Sequence, residues 1–192
     1  MIKRKKTKKG NIKVSGGMAD FIDSVDMLLD GVSDPEFKRY VADIIAQYAV
    51  RLAKENVWNG GNPSTPHSEI TPYLTEKLSN GQRSTGAELI ETGKLYEAIK
   101  VTASTVSFGK VHLEIGIIDE AISKYALIQE YGGDPGGAVK ARIPARPYLM
   151  PAIREAAYSA LENVQLQNAI NKALDAMSDG RDWRSQLRGI SI

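Results

Sequence analysis

Arg142 and Arg146 stand four residues apart in the stretch Arg142-Ile143-Pro144-Ala145-Arg146-Pro147-Tyr148-Leu149, and the prolines decide how they are presented. Pro144 and Pro147 fix φ and push Ile143 and Arg146 towards extended backbone, so the stretch is a stiff connector and not a helix. A connector of this kind loses little entropy on docking, which suits its arginines to a subunit contact or a ligand clamp. Other chemistry is thinly provided. The chain has no cysteine, which removes disulfides, thiolate metal sites and a cysteine nucleophile, and only two histidines, His67 and His112. Its acidic residues are scattered, with no nucleophile and base at a recognisable spacing. The run Gly132-Gly133-Asp134-Pro135-Gly136-Gly137 is rich in glycine but lacks a phosphate-binding lysine and does not join a buried strand to a helix, so it reads as a turn. The expectation is a protein without catalytic activity, cofactor or metal.

Charge is distributed unevenly. Lys3, Arg4, Lys5, Lys6, Lys8, Lys9 and Lys13 place seven positive charges and no negative one in the first 13 residues. The rest of the chain holds 18 of the 25 basic residues against all 23 acidic ones, a net charge of −5. Such a block reads as a flexible arm: either a solvated tail, or a contact for DNA or an acidic partner that would weaken with salt. With 42% hydrophobic and 25% charged residues the composition is that of a soluble globular chain. No apolar run approaches the roughly 20 residues of a membrane span, and no apolar segment follows the basic arm as in a signal peptide.

The elements that must position these residues follow from periodicity. Phe21, Ile22, Val25, Leu28 and Leu29 predict a short amphipathic helix over 18–29. Asp34 as N-cap and Pro35 at the first position open a second helix to about residue 57, with Phe37, Tyr40, Val41, Ile44, Ile45, Tyr48 and Leu52 on one stripe facing a core. Residues 58–86 turn to Asn, Gly, Pro, Ser and Thr, a long loop with a short helical piece over 71–78. Loops this long are uncommon unless functional, which makes this one a partner-binding candidate with Trp58 as its anchor. A helix over 87–100 carries a break at Thr92-Gly93. Two strands, 101–107 and 111–118, follow as a hairpin turning at Gly109-Lys110, with Val111, Leu113 and Ile115 inward and His112 and Glu114 on the opposite face. A helix over 120–131 stops at Gly132-Gly133, residues 138–143 suit one more strand, and one long helix spans 150–177, ended by Gly180. Trp183, Leu187 and Ile190 lie in a tail that could dock on a neighbour.

Leu89-Ile90-Glu91-Thr92-Gly93-Lys94-Leu95, the hairpin, Tyr125 to Gly133 and the proline connector into the last helix occur in an order that resembles the tailed-bacteriophage tail-completion family, the virion morphogenesis or neck proteins. Thr92-Gly93-Lys94-Leu95 matches that family's first motif and 143–149 its last, within a likeness over roughly 41–174. The basic arm, the helix before Asp34 and the tail after Gly180 depart from it.

The resemblance implies an α+β subunit: a small antiparallel sheet, the hairpin plus one or two further strands, packed by two long helices, with an extended loop and a flexible N-terminal arm. The arm takes 1–16, a single α+β domain 17–180 and a C-terminal tail 181–192. It also implies a structural virion protein of the neck or tail, assembled in the host cytoplasm. Its partners would be its own copies in a hexameric ring, the neighbouring connector and tail-tube proteins, and genomic DNA in the lumen, with no membrane. Arg142, Arg146, Tyr148 and Trp58 are then candidates for the subunit or partner contact. For Arg146 and Tyr148 a second reading stays open, in which Arg146 pairs with an acidic residue of its own chain, such as Glu130, and Tyr148 packs on the last helix. A nucleic-acid-binding protein acting through the arm is the alternative function, although the arm lacks the aromatic residues that usually stack on bases.

Overall fold

The computed structural model describes residues 28, 29, 31–61, 93–134 and 143–190. The basic residues from Lys3 to Lys13, His67, Arg142 and the expected elements 18–27, 62–92 and 138–142 lie outside the described residues.

Asp34 opens a helix: its carboxylate accepts hydrogen bonds from the backbone N–H groups of Glu36 and Phe37, both at 2.8 Å, and Pro35 fills the first helical position. These two residues start α1, Pro35–Trp58, as expected from the sequence. The helix is buried along most of its length, through Phe37, Val41, Ile45 and Val57 and through Ala42, Ala46, Ala49 and Ala53. Gly93 caps the short α2, Lys94–Ala98, in a left-handed conformation, and Ile99 is already extended, so the described part of the helix expected over 87–100 is a single turn and a half.

The hairpin follows. Strand β1, Lys100–Ser107, pairs antiparallel with β2, Lys110–Gly116, with Thr105 opposite His112 and Ser107 opposite Lys110. Val111, Leu113 and Ile115 are buried and His112 is exposed, the alternation expected from the sequence. The turn lies one residue earlier than Gly109-Lys110. Phe108 and Gly109 form it, with φ of 52° and 77°, because two consecutive left-handed residues match the twist of a two-residue hairpin. Among the described residues the sheet has two strands. Ile143, expected in a further strand, forms an isolated bridge with Gly133.

Asp119 caps α3, Glu120–Tyr131, through the N–H groups of Ala121 and Ile122, and Gly132 ends it. The long helix expected over 150–177 is two helices: α4, Leu149–Glu162, and α5, Val164–Ser178. Asn163 separates them. Its backbone is extended (φ −76°, ψ 99°) and its side chain accepts from the Leu166 N–H, so it closes one helix and opens the next. The chain is thus α+β, with α1 packed on α4 along one side and on the hairpin along another. α4 is buried through Ala152, Ala156, Ala157 and Ala160, small side chains that let two helices approach closely.

A last turn, α6, Arg184–Leu187, packs on α5. The expected tail docks on its own chain: Trp183 stands edge-on to Phe37 and Tyr40 of α1, with ring centroids at 5.0 and 5.5 Å, and Arg184 pairs with Glu36. No helix among the described residues is long and apolar enough to cross a membrane.

Candidate functional site

The connector 143–148 runs from the end of α3 to the start of α4, and its local chemistry explains its path. Ile143 exchanges two backbone hydrogen bonds with Gly133, at 3.0 and 2.8 Å. Further along the connector, the Arg146 N–H reaches the carbonyl of Gln129 at 2.6 Å. Two glycines make the close approach possible. A Cβ on Gly132 would lie 2.9 Å from the Ala145 nitrogen, and one on Gly61, just past α1, would lie 3.1 Å from the backbone of Arg146. Both glycines also hold φ in the left-handed region, at 69° and 109°.

Glu130 occupies the centre of this arrangement. It is 5% exposed, and its Oε2 accepts from the N–H groups of Tyr148 and Leu149 at 2.8 and 2.9 Å while its Oε1 accepts from that of Met150 at 2.9 Å. Pro151, the next residue, has no N–H to satisfy. One carboxylate from α3 therefore serves the free donors that open α4, where the helix dipole also favours negative charge. Asn56 of α1 adds a third anchor, donating from Nδ2 to the Tyr148 carbonyl at 3.0 Å. Burial pushes the Tyr148 hydroxyl well above its ordinary ionisation range, and the charge of Glu130 and the neighbouring Tyr131 and Tyr125 act in the same direction. Tyr131 is raised too, by burial and then by Glu130.

Arg146 and Tyr148, candidates for an outer contact, are each 2% exposed. The guanidinium of Arg146 donates to Gln129 Oε1 at 3.4 Å within the subunit. Both side chains serve their own chain, because a double-proline strand pinned on two sides has its middle residues turned into the packing. Glu130, named above as one possible partner of Arg146, caps 148–150. Trp58, by contrast, is 58% exposed at the end of α1 and remains available to a partner. Arg142 and the basic arm lie outside the described residues.

No protein family, curated protein or solved structure matches this chain.

The geometry itself separates two kinds of surface. The polar groups of the connector are directed inward, and among the described residues no group of three or more His, Asp or Glu could hold a metal ion. Large apolar side chains that face outward include Trp58, Tyr158, Val164, Ile118 and, at the hairpin tip, Phe108. Sequence reasoning missed Phe108, Gln129 and Asn56. The signal for Glu130 was present, since an acidic residue in the last turn of a helix without basic neighbours there calls for a positive partner elsewhere.

Proposed function

We propose that this chain is a structural subunit of a phage neck or tail, which completes or terminates the tail and joins it to the head as one member of a ring. The observation that carries this reading is the open hairpin. β1 and β2 pair only with each other among the described residues, so each keeps an outer rim whose N–H and C=O groups can extend the sheet into a neighbour. A contact repeated from one copy to the next closes a ring when its rotation is right. The ordered motifs that resemble tail-completion proteins support the same role. So does the connector, which fixes the hairpin-bearing half of the chain to α4 through Glu130 and Asn56 and gives a subunit stiff enough to carry load.

Light scattering of the full-length protein across concentration, alone and with phage tail tubes, tests the proposal. Closed rings or binding to tube ends are expected. A monomer that ignores tubes yet binds DNA with a steep salt dependence would overturn it and assign function to the basic arm.

A further inference from the structure

Phe108 is the least protected large side chain among the described residues, 104% exposed, and it stands where phenylalanine is least suited. The first position of a two-residue turn with φ of 52° favours Asn, Asp or Gly, so a bulky aromatic there strains the backbone and keeps its whole ring in water. Neither cost brings any return inside the subunit. At the surface Lys38 Nζ donates to the Gly109 carbonyl at 2.9 Å and links the turn to α1. A protruding aromatic ring on a turn linked in this way has the form of an interface anchor.

A complementary surface exists on the same chain. Along α1, Tyr40, Ile44 and Tyr48, each half-buried, line a groove of about 470 Å³ together with Asp43, Gln47, Arg51 and, from the C-terminal segment, Ile190. Phe108 does not line it. The walls are aromatic and aliphatic, suited to edge-to-face contact with an incoming ring. The charges match as well: Lys110 follows the turn, and Asp43 stands in the groove wall, while Arg51 lies over the Tyr48 ring at 4.8 Å.

We propose that Phe108 of one copy inserts into the α1 groove of a second copy, with Lys110 of the first beside Asp43 of the second. Knob and groove are different patches, so the contact is heterologous and propagates from copy to copy. It deepens the ring reading, and rests on it, by adding a side-chain contact to the strand rim through which neighbouring copies pair.

Phe108→Asn is the decisive variant, because asparagine suits the turn and leaves the fold intact while removing the ring. Sedimentation equilibrium should show self-association weakened roughly thirtyfold or more, the size of an anchor residue's effect. Ile44→Asp blocks the groove from the other side. Mixed together, the two variants retain one intact knob and one intact groove and should form pairs that grow no further. Asp43→Lys and Lys110→Glu should each weaken association and restore it when combined in one chain. Wild-type association by Phe108→Asn would overturn the contact and leave the ring reading standing. A chain monomeric at every concentration would overturn it too, and the connector role would then depend on binding to tube ends alone.

Discussion

An acidic side chain in the last turn of a helix meets the negative end of that helix's dipole, and Glu130 sits in that position on α3, buried. The first turn of α4 reverses the balance by offering three backbone N–H groups to its two oxygens. Glu130→Gln keeps the shape but removes the charge and turns an amide N–H₂ towards donors. The expected loss is about 2 kcal/mol of unfolding free energy in urea, the difference between charged and neutral hydrogen bonds plus one misdirected group. A loss below about 0.5 kcal/mol would mean that α4 does not depend on this cap. Tyr148 sets a pH dependence of definite sign. Its folded ionisation lies above the ordinary value of 10.0, so its contribution is complete below that pH and is lost above it, where the unfolded chain releases the proton and the folded chain retains it. Stability should fall above pH 10 by up to about 1.4 kcal/mol per pH unit from this group, and Tyr148→Phe should flatten the slope. An unchanged slope in Tyr148→Phe would assign the effect to other groups.

At the scale of elements, Asn163 interrupts what periodicity reads as one helix. The apolar spacing of Ile153, Ala157 and Leu161 continues through Leu166 and Ile170, so a bend that keeps both faces buried leaves no trace in the pattern. Asn163 caps the second helix and Gln167 donates its side-chain amide to the Leu161 carbonyl of the first, so Asn163→Ala should cost about 1 kcal/mol, measured by thermal unfolding. A neutral result would place the bend under the control of packing and the Gln167 contact. Other elements were legible because their signals are local: Asp34-Pro35 opens α1, Gly132 closes α3, and the alternation of Val111, Leu113 and Ile115 specifies β2 and its buried face. The hairpin turn was displaced by one residue because Phe108 occupies a position whose usual residues would have revealed it. Of the candidate site, the stiffness of the connector was legible from its prolines. Its inward orientation was not, since that depends on Gln129, Glu130, Asn56 and Gly61, which lie far away in sequence.

At the scale of the whole molecule, the C-terminal segment belongs to the core. Trp183 is 7% exposed and closes the end of α1 against Phe37 and Tyr40, a pairing between residues far apart in the chain that no local pattern encodes. Trp183→Ala should lower stability by about 3 kcal/mol in denaturant unfolding, the usual scale for emptying a large aromatic site. A small effect would instead support the sequence expectation of a tail free to dock elsewhere. The same segment contributes Ile190 to the α1 groove, so losing it would alter both the stability of the subunit and the surface offered to a neighbour.

The paired hydrogen bonds between Gly133 and Ile143, reinforced by the cap of Glu130 on 148–150, clasp the chain at both ends of the interval between them. Bonds held in one clasp open together or not at all, so the N–H groups of Gly133, Ile143 and Tyr148 should exchange with deuterium at one common rate, and Glu130→Gln should speed all three.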